Sequence, residues 1–219
     1  VESGLASSIW RQDEADKGHR NLARAIRMYI SGGVESGHLC PMSMTNASVG
    51  ALVANQNLLS EWQDKILSPS YDPSHKPVAD KRGVTLGMAM TERQGGSDVR
   101  SLQTVASPLQ DGIWRLNGSK WFVSAPMCDA FLVLAKTENG VSCFMMPRIL
   151  PDGEANGMRI QRLKDKLGNR SNASSEIELH DALAYLVGEE GKVFAFDILE
   201  KALNNTENLL KQEKMKMVQ

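Results

Sequence analysis

Over the first eighty residues, apolar positions recur at steps of three and four. Between Ala15 and Val34 they fall at Leu22, Ala25, Ile26, Tyr29 and Ile30. This spacing predicts a helix that buries that face, with Gly32-Gly33 as its stop. A second helix is expected from Ser43 to about Ala54 and a third from Leu58 to Leu67, with Asn57 as N-cap and Ser68-Pro69 as breaker. Residues 68–82 hold three prolines, three serines and two aspartates, which read as a loop and a domain boundary.

From Gly83 the period shortens. Short strand-like runs follow at Val84–Met90, Ile113–Leu116, Trp121–Ser124, Ala130–Ala135, Ser142–Met146 and Ser175–Leu179. Between them stand the turn dipeptides Asp111-Gly112, Asn117-Gly118, Asn139-Gly140 and Asp152-Gly153. Closely spaced strands without intervening helices predict an antiparallel barrel or sandwich rather than a doubly wound sheet. From about Val193 helical spacing returns at Phe196, Leu199, Leu203 and Leu210. A lone amphipathic helix cannot bury its stripe unaided, so a covering surface is expected, with packing in trans as the working reading. The predicted architecture is therefore α+β: a helical domain (1–82), an antiparallel β domain (83–191) and a short C-terminal helix (192–219).

Composition adds constraints. Among 219 residues, 25 basic and 26 acidic side chains give a net charge of −1, which offers no global attraction for nucleic acid or anionic lipid. No apolar run approaches the ~20 residues of a membrane helix, so no membrane role is expected. Cys40, Cys128 and Cys143 are odd in number and widely spaced, and no CxxC is present. Neither a disulfide framework nor a zinc site is suggested, and a reduced intracellular compartment is expected, cytoplasmic or mitochondrial. His19, His38, His75 and His180 do not pair at metal spacing, so no metal is expected. The chain starts at Val1 without a signal-like segment, which reads as part of a longer chain.

The chemistry concentrates at 88–99, MAMTERQGGSDV, where a strand runs into paired glycines and then Ser97-Asp98. Glycines allow close backbone approach to a ligand, and successive N–H groups in a tight turn can cradle an anion. The same residues also suit an ordinary Gly-Gly hairpin with a capping Ser-Asp pair. A second cluster, Arg159, Arg162, Lys164, Lys166 and Arg170 against Asp165, suits a phosphate, a neighbouring acidic face or a solvated hairpin.

MAMTERQGGSDV resembles the flavin-binding signature of acyl-CoA dehydrogenases. Lys120-Trp121-Phe122-Val123-Ser124 resembles that family's second flavin strand, and RLKDKLGNRSNASSEIELHDA (162–182) its Lys-Leu-Gly-x-Arg segment. The Gln-Gly-Gly form, MPRILPDG (146–153) and SGHLCPMSMT (36–45) resemble the AidB-type, alkylation-response branch. The similarity runs from about residue 5 to 192.

This resemblance implies FAD as cofactor, held by Met88, Met90, Thr91, Gly95, Gly96, Ser97, Phe122, Val123 and Ser124. Thr91 would meet the flavin's pyrimidine edge and Ser97 its pyrophosphate. Phe122 would face the ring in place of the family's Trp, and Ser124 would reach toward N5 in place of its Thr. Trp121 beside Phe122 leaves the two aromatic roles open, with Phe122 as the preferred ring contact. The implied activity is α,β-dehydrogenation of an acyl-CoA thioester by a homo-oligomer, within fatty acid metabolism. The family's catalytic glutamate lies in a C-terminal helical domain that this sequence does not resemble. Glu200, Glu207 and Glu213 are therefore not assigned, and the catalytic residue stays unknown. The alternative is a non-catalytic AidB-type flavin-fold protein acting through DNA or protein binding, with the neutral charge counting against DNA.

Overall fold

The computed structural model describes residues 1–11 and 18–188. The expected helix at 192–219, and residues 15–17 of the first expected helix, lie outside the described residues. Helices α1 (Arg20–Val34), α2 (Leu39–Leu52) and α3 (Gln56–Ile66) come first. Seven strands follow: β1 (Leu86–Ala89), β2 (Val105–Pro108), β3 (Ile113–Ser124), β4 (Ala130–Thr137), β5 (Gly140–Pro147), β6 (Met158–Leu163) and β7 (Ser174–Gly188).

The α+β reading holds, with two refinements. First, the strands form a mixed seven-stranded sheet rather than a purely antiparallel one. The hairpin pairs β2–β3 and β4–β5 are antiparallel, as are β3–β7, β5–β7 and β6–β7. However, β1 runs parallel to β4, and β2 meets β4 at one parallel pair, Val105 with Lys136. Turn dipeptides report hairpins alone, and the long return from β1 to β4 carries no such signal. Second, Asn117-Gly118 is not a turn. It sits inside β3 at a register shift against β7, where Gly118 takes φ +151 and passes Thr104 closely.

Two apolar cores flank the sheet. One fills its interior with Leu116, Val123, Phe131, Val133, Phe144, Ile177 and Leu179. The other packs Leu52, Leu59, Trp62 and Ile66 of α2 and α3 against Leu86, Leu132 and Met145. Thr45 on α2 locks helix to sheet: its hydroxyl accepts from the Leu86 N–H at 3.0 Å and donates to Pro41 O. The cap of α3 is Asn55 rather than Asn57; its side-chain oxygen accepts from Leu58 N while its Nδ2 donates to Leu186 O. The Asn55 amide thus joins the helical layer to the end of β7.

The buried face expected for α1 is overturned. Leu22, Ile26, Tyr29, Ile30 and Val34 are exposed, at 50% to 88%. The helix instead turns Arg24 inward, where its Nε donates to Leu5 O at 2.7 Å, and Met28 packs near Leu5 and Met42. Tertiary hydrogen bonding to the N-terminal segment fixes the rotation of α1, not its apolar stripe.

Candidate functional site

The site is assembled where β1 ends beside the C-terminal half of β3. Thr91 leaves β1 with its carbonyl accepting from Trp121 N–H at 2.8 Å. The chain then turns back, with Glu92 bridging to Gly95. The two glycines serve different needs. Gly95 takes φ +126, which L side chains rarely adopt, whereas a Cβ on Gly96 would lie 2.7 Å from Thr91 Oγ1. Ser97 is exposed, and Asp98 caps the following short turn by accepting from Arg100 N and Nε. That bonding to Arg100 holds the Asp98 carboxyl below its usual range. Among the described residues, none pairs with the Thr91 hydroxyl, the Ser97 hydroxyl or the N–H groups of Gly96 and Ser97.

β3 carries a bulge at this end. Between the pairs Lys120–Ile177 and Val123–Ser175 it inserts two residues, Trp121 and Phe122, opposite Glu176 alone. The extra residue breaks the alternation, so neither aromatic enters the core, while Val123 beyond them is fully buried. Trp121 is crowded by cations: Lys164 Nζ lies 3.6 Å from its ring centre, with Arg93 and Arg162 at 5.3 and 5.7 Å. Phe122 is 42% exposed, and the same Lys164 Nζ lies 5.4 Å from its ring centre. Ser124 follows, its hydroxyl 3.0 Å from that of Ser174, and Lys166 donates to the Ser174 hydroxyl at 3.0 Å.

The expected site residues therefore divide. Thr91, Gly95, Gly96 and Ser97 form one exposed turn, joined through Trp121 to the strand that carries Phe122 and Ser124. Met90 lies at the surface beside that turn. Met88 packs against the helix–sheet core, and the Val123 side chain points into the sheet interior, so these two offer a ligand little beyond backbone. The basic cluster is largely paired. Arg162 and Lys164 both donate to Glu176 Oε1, at 2.8 and 2.9 Å, and these contacts, Arg162 first, hold the Glu176 carboxyl down. Arg170 pairs with Asp165, and Lys166 donates to Asn172 O. Burial pushes the Cys128 and Cys143 thiols up to about 12, so neither is a thiolate nucleophile. No metal-holding group occurs among the described residues, and no described helix is long and apolar enough to cross a membrane.

Sequence reasoning missed what lies under the turn. Glu92 and Lys120 are buried, with Lys120 Nζ donating to Glu92 Oε1 at 2.9 Å. A signal existed: Lys120 puts a charge at an inward position of β3, in phase with Leu116.

Residues 87–182 match the acyl-CoA dehydrogenase middle-domain model, and residues 1–73 the AidB N-terminal domain model. AidB of Escherichia coli K12 is 51% identical over 172 residues, which span 78% of this chain and 32% of that protein. The crystal structure of Caenorhabditis elegans ACDH-11 in complex with C11-CoA superimposes with a TM-score of 0.73 at 29% identity, covering 86% of this chain and 33% of that one. A Mycobacterium smegmatis glutaryl-CoA dehydrogenase in complex with FADH2 shares the fold, with a TM-score of 0.62 at 20% identity over 84% of this chain and 44% of its own. The chain spans about a third of the length of the first two relatives.

Proposed function

The chain belongs to the acyl-CoA dehydrogenase family, in its AidB-type branch, and from that premise we propose that it is the flavin-holding portion of an FAD-dependent oxidoreductase that dehydrogenates acyl-CoA thioesters. One observation carries the reading: the unpartnered donors of Thr91, Gly96 and Ser97 stand on a turn tied through Trp121 to the strand that exposes Phe122.

This donor set fits FAD. The pyrimidine edge of a flavin and its pyrophosphate are rich in acceptors, and the turn offers hydroxyls and free N–H groups, with the Glu92 carboxylate buried beneath it and the Asp98 carboxylate engaged by Arg100. When bound, FAD supplies a two-electron acceptor for hydride. The residues of this chain would bind and orient it: Thr91 would donate to the pyrimidine edge, Ser97 and the Gly96 N–H would donate to the pyrophosphate, and Phe122 would offer the ring an apolar surface. The Ser124 hydroxyl can accept from Ser174, which leaves its own proton free to donate toward the ring. The proton-abstracting base is not assigned to any described residue.

Spectroscopy of the purified protein tests the reading. Visible flavin absorbance that bleaches on adding acyl-CoA thioesters supports it. Flavin that stays oxidised throughout the thioester series supports flavin holding without dehydrogenation by this chain, as expected where no described residue supplies the base. A folded but colourless protein that takes up no added FAD overturns both.

A further inference from the structure

Beneath the Thr91–Ser97 turn, one carboxylate gathers five hydrogen bonds. Glu92 Oε1 accepts from Thr104 N at 3.0 Å, Thr104 Oγ1 at 2.5 Å and Lys120 Nζ at 2.9 Å. Glu92 Oε2 accepts from Gln103 N at 2.6 Å and Gln94 Nε2 at 2.9 Å. Lys120 also donates to Leu134 O at 2.7 Å. The turn leaving β1, the segment entering β2, and strands β3 and β4 thus converge on this one ion pair. Its members are 4% and 0% exposed at the side chain.

Stability alone does not explain such a pair. Well-packed apolar residues in place of a buried ion pair are often neutral or stabilising, because both charges must be desolvated. Apolar substitutes could not satisfy the N–H groups of Gln103 and Thr104, nor fix the turn relative to β3. Glu92 directly follows Thr91, whose carbonyl is already held by Trp121 N–H. Two adjacent residues are therefore fixed from opposite sides, and the exposed donors beyond them inherit that geometry.

We infer that Glu92 and Lys120 are positioning residues: their buried pair pre-shapes the Thr91–Ser97 turn so that its donors already face the flavin before it binds. The inference rests on the flavin reading above. Pre-shaping moves the entropic cost of ordering the turn from binding into folding, so its loss shows as weaker binding.

The test compares Glu92→Gln and Lys120→Met with Leu52→Ala, a destabilising change in the helix–sheet core away from the turn. Two readouts are taken on the full chain: amide hydrogen exchange across residues 91–97 and 103–104 without flavin, and FAD affinity by fluorescence titration. Glu92→Gln and Lys120→Met are each expected to lose amide protection in these segments and to weaken FAD binding by roughly tenfold or more. Leu52→Ala is expected to lower the unfolding midpoint while leaving both readouts in place. Unchanged protection in folded Glu92→Gln and Lys120→Met overturns the inference, as does an equal loss in Leu52→Ala. The exchange readout needs no flavin. A wild-type chain that fails to bind FAD therefore overturns the flavin reading separately, while the exchange result still decides the role of the pair.

Discussion

Glu92 places a carboxylate in the protein interior, and its environment decides its charge. Burial pushes its carboxyl up, but the hydrogen bonds from Lys120, Thr104 and Gln103 outweigh this and hold it at about 2. Burial draws the Lys120 ammonium down, and Glu92 opposes that shift. A carboxyl with a lowered folded pKa adds stability above its unfolded value near 4.5, and that stability is lost as pH falls toward 2. The stability gap between wild type and Glu92→Gln, measured by urea unfolding, should narrow steadily from about pH 5 to pH 2. A gap that is flat over this range would remove the ion pair from the account. On the exposed side of the turn, Thr91→Val with Ser124→Ala should weaken FAD binding, since each lost partner of a bound polar group costs roughly 1–3 kcal/mol. Fluorescence titration reads the loss directly, and unchanged affinity would count against both assignments.

At the scale of elements, legibility followed how local the determining signal is. The hairpins at Asp111-Gly112 and Asn139-Gly140 declare themselves, because backbone conformation in a tight turn demands those residues. Asp111 and Gly112 indeed take φ +57 and +75. Asn117-Gly118 misleads by the same chemistry, since a bulge inside β3 accepts the conformations a turn does. The strings 88–99 and 120–124 are legible in the sequence, yet the bulge that turns both Trp121 and Phe122 out of the core depends on a partner strand more than fifty residues away. The α1 stripe has the period of a buried face, but its rotation is set by Arg24 and the N-terminal segment. Ile26→Lys with Ile30→Glu should therefore shift the stability of this chain by no more than about 0.5 kcal/mol in either direction in urea unfolding. A loss above ~1.5 kcal/mol would show that the stripe is covered in solution.

For the whole molecule, the helical layer and the sheet act as one support. Asn55 joins α3 to β7, and Thr45 joins α2 to β1, the strand that delivers Thr91.

The central claim is that this chain holds a flavin on the Thr91–Ser97 turn and the bulged end of β3. A fluorescence titration of the purified, folded chain with FAD tests it most directly. The account predicts saturable quenching at one FAD per chain that is weakened in Thr91→Val with Ser124→Ala. Failure of the folded wild-type chain to quench FAD, or equal binding by the double variant, would contradict it.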